Sequence, residues 1–387
     1  MTRSVTVLGS TGSIGRSTVD LLLKNPDRFT VEALVAQKDV TTLAAQAKAL
    51  QAKIAVVEDE SCYNALKEAL AGTGTKAAAG KIAVIEAAQA PAEWVMSAIV
   101  GTAGLRPTYA AIKRGAIIAL ANKESMISAG PVILNALKKY NATLLPVDSE
   151  HNAIFQVFHE PHRAEVEKLI LTASGGPFRT FTTEQMTSIT LDQALKHPNW
   201  SMGPKVTIDC ANLMNKGLEM IEASYIFGFP EDQIDILIHP QSIVHSLVAY
   251  RDGSVLAQLG IHDMRVPIAH TLAWPARMQT DLPRLDLSAL KQLTFETPDV
   301  QQFPAISLAR HVLRNGKDRP TVLNAANEVA VQSFVQGKIS FLDIVPICTE
   351  VLNQMNESSL VSIDEVLLID QQARQIAQKV INKKNAS

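Results

Sequence analysis

Along the first 150 residues, short runs of aliphatic and β-branched positions alternate with longer stretches in which apolar residues recur every three or four positions. The runs at 5–8, 31–35, 54–57, 82–85, 98–100, 116–120 and 143–147 predict strands. The stretches at 18–24, 41–51 and 63–71 predict helices. Such alternation predicts an α/β domain with a mostly parallel, doubly wound sheet of Rossmann-like type. Ligands on these sheets bind beyond the carboxyl ends of the strands. Gly9, Gly101, Asn122, Lys123 and Asp148 follow the predicted strands and therefore stand where a ligand would bind.

The pattern changes after residue 148. Strand-like runs at 168–172, 205–208, 234–238, 243–250 and 254–259 are separated by loops rich in Gly and Pro, which predicts an α+β region. The Asp252-Gly253 pair between two of these runs is a hairpin signal. A proline-containing, poorly periodic stretch follows. From 304 the pattern is helical, at 305–314, 321–336, 341–355 and 363–382, and predicts a small terminal bundle. The expected division is a nucleotide-type domain at 1–148, an α+β domain at 149–275, a linker at 276–303 and a helical domain at 304–387.

A chain of 387 residues is too long for one compact core, which agrees with this division. A hydrophobic fraction of 47% with 19% charged residues is an ordinary globular composition. The net charge of −2 provides no field that would draw in nucleic acid or an anionic membrane, although a local pocket can still be basic. The three cysteines, Cys62, Cys210 and Cys348, show no CxxC spacing, which argues against a disulfide framework or a zinc ribbon and for a reducing compartment. The first residues run directly into a strand pattern without a signal-peptide core, and no apolar run approaches the roughly 20 residues of a membrane span. The expectation is a cytoplasmic protein.

Several segments carry candidate chemistry. Gly9-Ser10-Thr11-Gly12-Ser13-Ile14-Gly15 follows the first strand and leads into a helix. Its glycines allow a tight turn and a close approach to a pyrophosphate, and the helix start offers unpaired N–H groups. The spacing is GxxGxxG, which an ordinary strand-to-helix turn could also show. The second strand ends in Gln37-Lys38-Asp39, where Lys38 could neutralise a 2′-phosphate and so favour NADP, or could simply be solvated.

Asp148 and Glu150 are two apart and in extended backbone would project to one side, a hard-oxygen pair suited to Mg²⁺ or Mn²⁺. Alternatively, Ser149 caps a helix with Glu150 in its favourable first turn. Glu219 offers a third carboxylate, beside Asn215 and Lys216, a plausible donor pair for a phosphate. Ser174-Gly175-Gly176 is either a second anion-binding loop or a plain turn. The segment 197–203 has His197 at its start, Trp200 at its centre and Gly203 at its end, and reads as a lid with an aromatic cover or as a packed connection. His239, His245, His262 and His270 match no zinc spacing and read as packing residues.

Taken together, the segments GSTGSIG at 9–15, LANKES at 120–125, PVDSEHNAIFQ at 146–156, SGGPFR at 174–179, HPNWSMG at 197–203, MNKGLE at 214–219, IHPQSIVHS at 238–246 and NAANE at 324–328 resemble the 1-deoxy-D-xylulose 5-phosphate reductoisomerase family. The resemblance runs nearly end to end. It implies a three-part fold whose middle part, 149–275, is the catalytic and dimerisation domain of a homodimer, with NADPH and Mg²⁺ or Mn²⁺. It implies that Thr11, Gly12, Ser13, Ile14, Asn122, Glu124 and Gly203 hold the nucleotide and that Asp148, Glu150 and Glu219 hold the metal. Lys123, Ser149, Ser174, His197, Asn215 and Lys216 would hold the sugar phosphate, covered by Trp200. Two positions depart from the family pattern: Gln37-Lys38-Asp39 replaces Gly-Lys-Asn at the adenosine ribose, and Cys210 stands where the family has a phosphate-binding serine. The implied reaction rearranges the carbon skeleton, by retro-aldol and aldol steps or by ketol migration, to a branched aldehyde phosphate that NADPH reduces. A nucleotide-sensing regulator or a metal-free NADP dehydrogenase would explain residues 9–15 but not three metal-type carboxylates with Lys123 and Trp200.

Overall fold

The computed structural model describes residues 2–200 and 202–385. Ser201 of the 197–203 segment, with Met1, Ala386 and Ser387, lies outside the described residues. The chain divides into two compact units. The first comprises Met1–Ser125, Ile133–Asn152 and Asp263–Leu282, and the second comprises Met126–Val132, Ala153–His262 and Pro283–Ser387.

In the first unit the described residues form a seven-stranded sheet from β1 (Arg3–Leu8), β2 (Phe29–Ala36), β3 (Ile54–Val57), β4 (Lys76–Ala79), β5 (Trp94–Ser97), β6 (Ile117–Leu120) and β7 (Thr143–Pro146). The order is β4-β3-β2-β1-β5-β6-β7, and every pair is parallel. From β1 the chain winds outward to β4, then returns to the other side of β1 as β5. The crevice beyond the ends of β1 and β5 is therefore the switch point at which such sheets take ligands. Val5, Val7, Leu34 and Val35 are buried on both faces of the sheet, as parallel strands covered by helices require. Helix Arg265–Ala273 contributes Ile268 and Leu272 to this core. Arg265 is 2.9 Å from Asp20, and Arg3 donates to the carbonyls of Leu272 (2.6 Å) and Trp274 (3.0 Å).

The second unit has four strands, β8 (Val166–Ala173), β9 (Ile234–Ile238), β10 (Val244–Tyr250) and β11 (Val255–Leu259), in the order β11-β10-β8-β9. β8 and β9 are parallel, whereas β10 is antiparallel to both β8 and β11. Asp252 and Gly253 turn the expected hairpin, with Gly253 at φ +88° and a Tyr250 N–H bond of 2.9 Å to the Ser254 carbonyl. Helices Ala305–Asn315, Arg319–Val335, Ile344–Gln354 and Ile363–Asn385 follow the four helical runs of the sequence. Helix Met214–Phe227 packs on Ala305–Asn315 through Gly217, where an added Cβ would lie 2.7 Å from the Ala309 Cβ. Among the described residues no helix is long and apolar enough to cross a membrane.

Three predicted strands are corrected. Residues 82–85 lie in helix Lys81–Ala88, whose buried Ala83, Val84, Ala87 and Ala88 repeat at helical spacing. A four-residue apolar run carries no period that separates helix from strand. Residues 98–100 follow β5 rather than form it, because the strand starts earlier, at Trp94. Residues 205–208 lie in helix Pro204–Ala211, where proline at the first helical position fixes φ and loses no needed hydrogen bond. The sequence reading also missed β4, because Lys76-Ala77-Ala78-Ala79 has little strand propensity and forms only an edge.

Candidate functional site

In the first unit the glycine-rich turn is dictated by close approach. Gly9 sits at φ +89°, and a Cβ there would lie 2.6 Å from the Ala98 carbonyl oxygen just beyond β5. A Cβ on Gly15 would collide with the Gly9 carbonyl and the Ser10 backbone. At Gly12 a Cβ would meet nothing closer than the Gly9 oxygen at 3.5 Å, so the protein's own packing does not demand a glycine there. The space in front of Gly12 suits the close approach of a ligand. Gly12 also caps helix Ser13–Leu23 without a side chain, which leaves the first-turn N–H groups near Thr11, Ser13 and Ile14 to bind an anion. These features fit a dinucleotide pyrophosphate.

At the end of β2, Gln37 accepts a backbone bond from Asp59 at 3.0 Å. Lys38 is exposed. Asp39 caps helix Val40–Ala49 by accepting from the Thr42 N–H at 3.0 Å, and that bond holds its carboxyl below the usual carboxylate value. Beyond β6, Asn122 caps helix Lys123–Tyr140, accepting from Ser125 at 2.9 Å and donating to the Gly101 carbonyl at 2.9 Å. Its side chain therefore braces the loop after β5. Glu124 is buried in the first turn of the same helix.

Lys123 Nζ lies 2.8 Å from Asp148 Oδ2, and both side chains are largely buried. Asp148 Oδ1 accepts the Glu150 N–H at 3.2 Å and lies 3.5 Å from His151 Nδ1. Ser149 donates to Glu150 Oε2. The backbone here is not extended, as the two-residue spacing had suggested. Glu150 lies in the first turn of helix Ser149–Val157, and Asp148 precedes it, so the helical alternative describes the backbone. The helix still leaves both carboxylates with oxygen donors for a hard cation.

In the second unit, helix Met214–Phe227 starts from Leu213 in the left-handed region, φ +63°. In its first turns Asn215 and Lys216 both donate to Glu219, and all three are buried. Gly175 and Gly176, at φ +83° and +68°, turn the chain after Ser174. A Cβ on Gly176 would lie 2.7 Å from the Cys210 carbonyl, so the Ser174 loop rests on helix Pro204–Ala211, where Cys210 is half-buried. His197 Nδ1 accepts the N–H groups of Asn199 (3.2 Å) and Trp200 (2.9 Å). Its proton is therefore assigned to Nε2, which faces Ser174 Oγ at 3.0 Å. Burial, followed by the effects of His262 and Lys216, pulls the His197 pKa down to about 4, so the ring is a neutral donor at pH 7.

Sequence reasoning missed how Trp200 is seated. Asn199 donates to the Pro240 carbonyl at 2.7 Å and to Ser242 Oγ at 2.9 Å. The indole meets the His262 ring at 5.5 Å and 66°, with His245 at 6.2 Å. These partners are distant in sequence, and the only available signal was the polar His239-Pro240-Gln241-Ser242 run after β9. His262 Nε2 donates to the carbonyls of Gln241 (3.0 Å) and Ser242 (3.1 Å), and His239 Nδ1 donates to the Thr294 carbonyl (2.8 Å). Among the described residues, none of His239, His245, His262 and His270 belongs to a three-residue cluster of metal-type ligands. Gly203 caps helix Pro204–Ala211.

Burial also lowers the His245 pKa to about 4, from an ordinary 6.5. A depressed histidine contributes stability that is fully present above its unfolded value and is lost as pH falls through its folded value. The denaturation midpoint is therefore expected to fall between pH 6.5 and about 4, and His245→Asn should flatten that slope. An unchanged slope in the variant, read by urea titration at several pH values, would refute this assignment.

Three family models match the chain. The 1-deoxy-D-xylulose 5-phosphate reductoisomerase model matches residues 5–130, its C-terminal domain model residues 144–227, and the DXP reductoisomerase C-terminal domain model residues 259–376. A 1-deoxy-D-xylulose 5-phosphate reductoisomerase from Rhodospirillum centenum is 56% identical over 98% of this chain and 94% of its own length. The Zymomonas mobilis protein of that name is 53% identical over 96% of each chain. Its solved structure in complex with NADPH superposes with a TM-score of 0.95 at 51% identity, covering 98% of this chain and 99% of that one. A DOX-P reductoisomerase in complex with NADPH, fosmidomycin and magnesium gives a TM-score of 0.91 at 40% identity, covering 98% of each chain. With its switch-point glycine turn, its carboxylates and matches of this extent, the chain belongs to the 1-deoxy-D-xylulose 5-phosphate reductoisomerase family.

Proposed function

We propose that this protein converts 1-deoxy-D-xylulose 5-phosphate to 2-C-methyl-D-erythritol 4-phosphate, using NADPH and Mg²⁺ or Mn²⁺, as a step in making isoprenoid precursors. The observation that carries this reading is 56% identity over 98% of the chain to a relative of that name. The NADPH, fosmidomycin and magnesium bound by a related structure support the cofactor and metal assignments.

Asp148, Glu150 and Glu219 are the proposed metal ligands. All offer carboxylate oxygens, and Asp148 and Glu219 are paired with lysine ammonium groups, as expected of carboxylates that favour a cation. A divalent cation held there supplies Lewis acidity for the substrate carbonyl and its neighbouring hydroxyl. Lys123, which pairs with Asp148, would steady negative charge on a substrate oxygen. Ser174, His197, Asn215 and Lys216 are the proposed phosphate donors, joined by Ser149 on the sugar. The neutral His197 ring presents an N–H, and Lys216 a full charge. The Cys210 backbone carbonyl lies under the Ser174 loop, and Cys210 would bring a thiol to the phosphate site where the family has a hydroxyl. Trp200 covers the substrate and excludes water. Thr11, Gly12, Ser13 and Ile14 would cradle the pyrophosphate, with Gln37, Lys38 and Asp39 at the adenosine ribose and Asn122, Glu124 and Gly203 completing the nucleotide site.

A cytoplasmic homodimer is part of the proposal. Among the described residues Cys62, Cys210 and Cys348 are not joined by disulfides, in keeping with a reducing compartment. Edge strand β11 exposes Val255 and Leu256, as an associating sheet edge would.

The test follows NADPH absorbance with 1-deoxy-D-xylulose 5-phosphate. Loss of absorbance should require the substrate, stop on chelation and return with Mg²⁺ or Mn²⁺. A rate that is indifferent to the chelator would contradict the metal, and no substrate-dependent rate would contradict the reaction.

A further inference from the structure

An unexpected acid stands at the end of β2. In dinucleotide sites a carboxylate at this place commonly holds the 2′-hydroxyl of NAD and repels the 2′-phosphate of NADP. Asp39 is such a carboxylate, yet both its oxygens are engaged. Oδ1 caps helix Val40–Ala49 through the Thr42 N–H at 3.0 Å, and Oδ2 lies 3.5 Å from an Arg16 guanidinium nitrogen. Lys38 is the other nearby cation, and its charge also acts on Asp59.

Arg16 is the first residue after the glycine-rich turn. Its Nε donates to the Thr11 carbonyl at 2.8 Å, so the guanidinium is folded back over the turn instead of extending along the helix. That bond fixes one edge of a planar, five-donor group, and the contact with Asp39 orients a second. The side chain is still 60% exposed, so the guanidinium, tied to Thr11 on the glycine turn and to Asp39 beyond β2, stays open to solvent and to a ligand between them. Adenosine ribose lies in this place when a pyrophosphate sits on the turn. A rigid guanidinium fork suits bidentate contact with phosphate better than a flexible ammonium does.

We propose that Arg16 reads the 2′-phosphate of NADPH, cancelling the charge of Asp39 and offering its outward N–H groups to the phosphate oxygens. The proposal rests on the dinucleotide reading of residues 9–15 and adds a residue that sets the choice between NADPH and NADH. Two other roles for Arg16 make different predictions. A clamp that only holds the turn through the Thr11 carbonyl would affect every adenine nucleotide equally, and a solvated arginine would affect none.

The test is calorimetric titration of the full chain with adenosine 2′,5′-bisphosphate and with 5′-AMP, which differ only in the 2′-phosphate. Arg16→Gln should weaken the bisphosphate on the order of tenfold, the loss expected for a charge-assisted hydrogen bond, while 5′-AMP changes by less than about twofold. Arg16→Lys, which keeps charge but not the fork, should fall between Gln and wild type. The KM ratio of NADH to NADPH should shrink in the same order. Equal weakening of both nucleotides, or of neither, overturns the proposal. Failure of the dinucleotide reading itself is distinguishable, because the wild-type protein would then bind neither NADPH nor the bisphosphate.

Discussion

Glu150→Gln should reduce turnover by on the order of a hundredfold or more, beyond the loss usual for residues that only support a metal ligand. NADPH affinity, measured by fluorescence titration, should stay near wild type. The substitution keeps the shape of the side chain and its place in the first turn of helix Ser149–Val157. It removes a negative charge, and hard cations bind through the charge and number of their oxygen ligands. Raising Mg²⁺ or Mn²⁺ well above the wild-type requirement should recover part of the rate, which a folding defect would not allow. Turnover within about threefold of wild type, a difference of less than one weak hydrogen bond, would remove Glu150 from the metal site.

The second large effect is expected at Trp200. Trp200→Ala should lower kcat/KM by on the order of tens to a hundredfold, the scale associated with a displaced positioning group, and leave NADPH affinity almost unchanged. The segment carrying Trp200 is held by His197 on Ser174 and by Asn199 on Pro240 and Ser242, and the indole rests edge-on against His262. Those ties are few and polar, the kind that exchange readily when a ligand competes for Ser174 and His197. Substrate analogue with metal should therefore shift Trp200 emission and protect the 197–203 segment from proteolysis. The measurement requires Trp94→Phe and Trp274→Phe. Trp94 is fully buried in the first unit's core, so the double variant must first be shown to unfold cooperatively. Flat emission together with wild-type kinetics for Trp200→Ala would make the segment an ordinary packed connection.

Much of this architecture is legible in the sequence alone. The alternation of strand and helix predicts the parallel sheet, and the Asp252-Gly253 pair predicts the β10–β11 hairpin. The misreadings share a physical cause. Residues 82–85 and 205–208 are short apolar or β-branched runs without a resolvable period, and what makes them helical lies partly outside the runs, in Ala87 and Ala88 and in Pro204. The spacing of Asp148 and Glu150 suggested a strand because the helix that begins at Ser149 has no periodic signal in its first turn. For the site, the motifs marked the residues, but their partners could not be read from spacing. Nothing local indicates that Asn199 binds the 240–242 turn, that Asn122 braces the loop after β5, or that Asp39 faces Arg16. These are contacts between positions tens of residues apart.

The seat of helix Met214–Phe227 bears on how this site can change over generations. Asn215, Lys216 and Glu219 flank Gly217, whose missing side chain lets the helix settle against Ala305 and Ala309. An extra methyl group at Gly217, or a larger residue at Ala309, would push all three polar side chains outward together. Residues that never meet the substrate thus share in setting the height at which the phosphate donors and one proposed metal ligand stand. Lineages that acquire altered ligand preference or inhibitor tolerance have a route through this alanine-lined groove, about ninety positions downstream of the motif it supports.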